Sequence, residues 1–157
     1  MRRFLTLLGV AAWAWACSSA EESTVSEEPI LYEASELALV MRKMAAGHEE
    51  YKEKFTAGEW DASVLLQWKQ QHSKMQSAQP TDPGAIGEEF KVMSAAYVEH
   101  MEQVIALVEN KASQKEKLEA YNALIETCIG CHQVHCQGPI PRIKKMKLSV
   151  DPGGVTP

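Results

Sequence analysis

Residues 113–139, SQKEKLEAYNALIETCIGCHQVHCQGP, decide how this chain folds and what it carries. Ser113 followed three residues later by Glu116 is a capping box: a hydroxyl and a carboxylate satisfy the backbone N–H groups that open a helix. Leu118, Tyr121, Ile125, Cys128, His132 and His135 then recur at spacings of three and four, the stripe of a helix that faces its neighbours. Gly138 and Pro139 are expected to stop that helix. The stripe contains Cys128-Ile129-Gly130-Cys131-His132. Two cysteines separated by two residues and followed at once by histidine form the attachment pattern for haem c. Each thiol adds to one vinyl group, and the adjoining histidine then lies under the iron.

Two other chemistries use similar residues. A redox Cys-x-x-Cys sits at a helix N-terminus in a βαβ setting, where the helix dipole lowers a thiol pKa; no β pattern precedes this one. A zinc centre takes about four Cys or His ligands, and His135 with Cys136 offers two more. One haem c is expected, attached through Cys128 and Cys131 with His132 as proximal iron ligand. Zinc binding is the alternative.

Three helices are expected before this one. The first opens near Ser35, with Leu37, Met41, Met44, His48, Tyr51 and Phe55 on its seam and Gly58 at its end. Asp61 caps a shorter second helix with Leu65, Trp68, His72 and Met75 inward. The turn-rich 79–84 stretch leads to a third, running to about Asn110 with Phe90, Met93, Tyr97, Met101, Val104 and Val108 on its seam. No run alternates with period two, so no strand is expected. Four amphipathic helices on short connections predict an all-α, antiparallel up-down-up-down bundle.

The chain has 157 residues, 45% hydrophobic and 24% charged, enough for one domain with a core. Its net charge of −5 argues against nucleic acid as a partner. Arg2 and Arg3 precede an apolar run, Phe4 to Ala16, too short to span a bilayer as a mature helix. The run closes on Ala14-Trp15-Ala16 directly before Cys17, which resembles a bacterial lipoprotein signal. That resemblance implies a lipidated Cys17, attachment to a membrane on its periplasmic side and, from Ser18, the outer membrane; ordinary secretion to the periplasm is the alternative. The chain divides into a signal peptide 1–16, a flexible acidic tether 17–34, a helical domain 35–138 and a tail 139–157, basic and then disordered. Cys136, left over from lipid and haem, is expected to be buried.

A bundle with its haem motif near the end of the last helix resembles the class II c-type cytochromes, the cytochrome c-prime superfamily, over roughly Ser35 to Cys136. Members usually place an aromatic and a basic residue where this chain has His135 and Cys136, so this looks like a divergent branch. The resemblance implies either a six-coordinate electron carrier, with a methionine from the first helix on the distal face, or a five-coordinate haem that binds a gas such as nitric oxide. It also implies a possible homodimer. Met41, Met44 and His48 share the first helix's seam; His72, His100 and His135 are weaker candidates. If the fourth helix starts level with the end of the first, His132 lies roughly 27 Å along it at 1.5 Å per residue. The same distance back from Thr56 reaches about position 38, which selects Met41, keeps Met44 as the alternative and leaves His48 too far. An electron carrier is expected, its redox partner unnamed by the sequence. A gas-binding haem protein and a non-haem metal-binding lipoprotein are the alternatives. With no nucleophile elbow, phosphate loop or second haem motif, an enzyme is not expected. Arg142, Lys144, Lys145 and Lys147 are expected either to neutralise haem propionates or to steer an acidic partner; a solvated basic tail is the equal alternative.

Overall fold

The computed structural model describes residues 33–149. The signal segment, Cys17, most of the tether and the last eight residues lie outside the described residues. What is described is all-helical: α1 (Glu36–Thr56), α2 (Ala62–His72), α3 (Glu88–Glu109), α4 (Gln114–His135) and a short α5 (Ile140–Lys144). No strand occurs among the described residues. Single 3-10 turns follow α2 and precede α3.

The starts of α1, α2 and α4 follow from side chains that satisfy orphan N–H groups. Ser35 Oγ accepts from the Ala38 N–H, the Asp61 side chain accepts from the Ser63 N–H, and Ser113 with Glu116 forms the full capping box. Gly58 adopts φ +87°, the left-handed turn that releases the chain from α1 and disfavours a side chain. Gly47, in mid-helix, has a different reason. A Cβ there would meet the Trp68 indole at 3.1 Å, so its absence lets α1 and α2 approach.

The seams turn inward. Phe55, Leu65, Met101, Val104, Tyr121, Leu124 and Ile125 are fully buried, and burying one such side chain stabilises the fold by about 1.5–3 kcal/mol. At one end of the helices, Phe55 stacks on Trp60 at 4.4 Å between ring centroids. Gln114 closes that end, its Nε2 donating to Phe55 O at 2.7 Å and Thr56 O at 3.3 Å.

Two expectations need correction. The chain beyond residue 138 is not simply a basic tail, because Ile143, Met146 and Leu148 are buried in the common core. Their spacing puts apolar side chains on one face and Lys144, Lys145 and Lys147 towards solvent. Asn122 of α4 fastens this segment, donating to Leu148 O and accepting from Leu148 N–H, both at 2.8 Å. The packed domain therefore runs on to Leu148. Cys136, expected in the interior, is exposed. The chain leaves α4 there in an extended conformation, two residues before the turn at Gly138 and Pro139. Among the described residues, no helix is long and apolar enough to cross a membrane.

Candidate cofactor site

Between α1, α3, α4 and α5 lies a mostly apolar cavity that opens to solvent. Cys128, Cys131 and His132 form its α4 wall, Met41, Met44 and His48 its α1 wall, and Arg142, Ile143 and Met146 close it from the C-terminal segment. A second hollow, between the start of α1 and the end of α4, is lined by Leu37, Phe90, His135 and Cys136. Met41, Arg42, Cys131, His132 and Pro139 border both, so the two meet beside His132.

Helix α4 presents the motif in its last two turns. Burial pushes the Cys128 thiol up to about 12, with the neighbouring Cys131 adding to the shift; burial also raises Cys131. Both are free and protonated at neutral pH, and Cys128 Sγ lies 3.7 Å from Leu124 O. This is the reverse of a redox Cys-x-x-Cys, whose thiolate is stabilised at a helix N-terminus. His132 Nδ1 lies 2.9 Å from the Cys136 carbonyl oxygen. A carbonyl only accepts, so Nδ1 carries the proton and Nε2 keeps its lone pair.

Met41 is half-buried at the junction of the two hollows, whereas Met44 is buried and faces only the first. Met75, Met93 and Met146 line the first as well, so five of the chain's seven methionines converge there. No pattern along the chain signals that convergence, because it arises from four separate segments.

The remaining histidines are placed differently. His48 Nδ1 lies 2.7 Å from the Tyr121 hydroxyl and its Nε2 3.1 Å from the Tyr97 hydroxyl. Tyr97 also meets His72 Nδ1 at 2.7 Å. Each of the four long helices thus contributes one side chain to a continuous buried array, Tyr121–His48–Tyr97–His72. Burial lowers His48 to about 3, helped by His72, and lowers His72 to about 4, so both are neutral at ordinary pH. Burial raises both phenols, Tyr97 and Tyr121. His100 Nδ1 donates to Ala96 O on its own helix at 2.9 Å and lines neither hollow. His135 lies edge-on to Phe90, and its Nε2 is buried without a partner among the described residues.

No three His, Cys, Asp or Glu side chains converge as a metal-holding group among the described residues, including those of 128–136. The basic cluster is divided. Arg142 makes a bidentate pair with Glu49 at 2.7 Å and holds that carboxyl below its ordinary value through the hydrogen bond. Lys147 pairs with Glu126. Both ion pairs are solvent-exposed, and only Arg142 of the four lines the cavity. No known protein family matches this sequence, and no curated protein or solved structure matches it either.

Proposed function

We propose that this chain is a c-type cytochrome that carries single electrons outside the cytoplasm on one haem c. The observation that carries the reading is the Cys128–His132 motif lining an apolar cavity with the His132 Nδ1 proton tied to a backbone carbonyl. Metal-bound histidines typically donate their other ring N–H in this way, which fixes the tautomer and aims Nε2. The elevated thiol pKa values count against a redox pair, which needs a stabilised thiolate.

We propose an antiparallel up-down-up-down arrangement for the four long helices. Two contacts support it: Gln114 at the start of α4 meets Phe55 and Thr56 at the end of α1, and Phe90 at the start of α3 meets His135 at the end of α4.

The residues present fit the group. Cys128 and Cys131 would form the two thioethers, and His132 would supply the proximal nitrogen. Met41, at the junction of the hollows beside His132, is our choice for the distal face, with Met44 behind it. Haem iron supplies a one-electron couple, and an axial methionine raises its potential. The protein's own part is to exclude water with Met75, Met93, Ile143 and Met146, to hold His132 in one tautomer, and to offer Arg42 at the cavity border to anionic carboxylates. His135 lines the second hollow, and its Nε2 is buried without a partner among the described residues.

The N-terminal sequence supports export and, through Cys17, lipid attachment on the periplasmic side. One experiment tests both ends of the chain. Express the protein in a bacterium that matures c-type cytochromes, partition it in detergent, and stain a denaturing gel for haem. The wild type should stain in the detergent phase, Cys17→Ser should move to the aqueous phase or stay uncleaved, and Cys128→Ala/Cys131→Ala should not stain. A stained double variant would end the haem reading. A sharp low-spin spectrum supports electron transfer, whereas a broad high-spin one supports gas binding.

A further inference from the structure

The helix register counts His48 too far along α1 to ligate, yet His48 lines the same cavity as Met41, Met44, Cys128, Cys131 and His132. Imidazole is a good ligand for iron, so something must keep it from competing with a thioether. Ligation needs an unoccupied nitrogen lone pair, and His48 has none. A neutral imidazole has one N–H and one lone pair. With Tyr121 at 2.7 Å from Nδ1 and Tyr97 at 3.1 Å from Nε2, one hydroxyl donates to the lone pair and the other accepts the N–H. The proton count closes in either direction. Tyr121 can donate to His48, His48 to Tyr97 and Tyr97 to His72; or every bond reverses.

We propose that Tyr97 and Tyr121 select the iron's sixth ligand by occupying both ring nitrogens of His48, leaving the distal position to a methionine thioether. This rests on the haem reading above. Both tyrosines act as positioning residues, through His48. Their 3% and 0% exposure and the anchoring of the array in all four long helices hold the clamp in one geometry. The two hydroxyls are not equivalent. Without the Tyr97 hydroxyl, His48 can donate Nδ1–H to Tyr121 and keep a bare Nε2 lone pair. That is the arrangement of His132, whose Nδ1 donates to Cys136 O. Removing the Tyr121 hydroxyl frees only Nδ1, the nitrogen nearer the backbone.

The test compares haem-loaded wild type, Tyr97→Phe, Tyr121→Phe, His48→Gln and Tyr97→Phe/His48→Gln by near-infrared absorption, electron paramagnetic resonance and redox titration. Tyr97→Phe should lose the thioether-to-iron band, remain low-spin with a two-imidazole signature and shift to lower potential. The thioether band should persist in Tyr121→Phe and His48→Gln and return in the double variant. A purely structural role for Tyr97 would not give a band that is restored by deleting His48. Haem-bearing Tyr97→Phe with its thioether band intact overturns the inference alone. Loss of that band in His48→Gln also overturns it, and this variant keeps the test decisive if Tyr97→Phe fails to fold. Wild-type protein without covalent haem overturns the underlying reading and the inference together.

Discussion

Cys128 owes its protonated state to its surroundings, since burial and the neighbouring Cys131 both oppose a thiolate. An inert thiol facing an apolar cavity suits an attachment point that must stay reduced until a vinyl group reaches it. Opposite, the choice among methionines is geometric. Met41 borders both hollows beside His132, whereas Met44 sits one turn deeper against the core. We expect haem-loaded Met41→Ala to lose the thioether-to-iron band, gain high-spin character and bind carbon monoxide readily. Met44→Ala should keep the band while losing stability, because a buried methionine truncated to alanine costs about 2–5 kcal/mol. An unchanged Met41→Ala spectrum, or loss of the band in Met44→Ala alone, would move the ligand elsewhere.

Among the elements, the helix starts were the most legible in the sequence because capping is a local interaction. Ser35, Asp61 and the Ser113–Glu116 box lie where their spacing predicts. The segment 140–148 was less legible. Its lysines and arginine suggest a solvated tail, while Ile143, Met146 and Leu148 find their partners only on α4 and the core. Asn122 is the latch. Asn122→Ala removes two hydrogen bonds to Leu148, at a net cost of about 0.5–1.5 kcal/mol each. We expect a lower urea midpoint and faster tryptic cleavage at Lys144, Lys145 and Lys147, with the helical circular-dichroism signal nearly intact. Cleavage at the wild-type rate would show that the latch does not hold the segment.

At the scale of the molecule, the Tyr–His array ties stability to pH. His48 and His72 have folded pKa values of about 3 and 4 against an ordinary 6.5. From about pH 7.5 upward neither state carries appreciable imidazolium and their stabilising contribution is complete. Below it the unfolded chain takes up protons that the folded chain refuses, so stability falls until the pH reaches the folded values. The limiting slope is about 1.4 kcal/mol per pH unit for each imidazole. Between pH 6.5 and 5 the carboxylates depressed by their hydrogen bonds, Glu49, Asp61 and Glu116, stay ionised, so the histidines dominate this window. The urea midpoint should be level from pH 8 to about 7.5 and fall from 6.5 to 5, less steeply in His72→Gln. A midpoint independent of pH across that window would show that the imidazoles are accessible to protons in the folded state.

The sequence by itself determined the helical class, the four long helices and their inward stripes, because helical periodicity and capping act over a few residues. It also carries the Cys-x-x-Cys-His spacing on which the haem proposal rests. Only the tertiary structure decided that Cys136 faces solvent, that five methionines converge on one cavity and that Tyr97 and Tyr121 hold both nitrogens of His48. The tyrosine contacts join positions 49 and 73 residues apart. Such pairings are fixed by how the helices pack against one another, and spacing along one helix cannot reveal which side chain waits on the next.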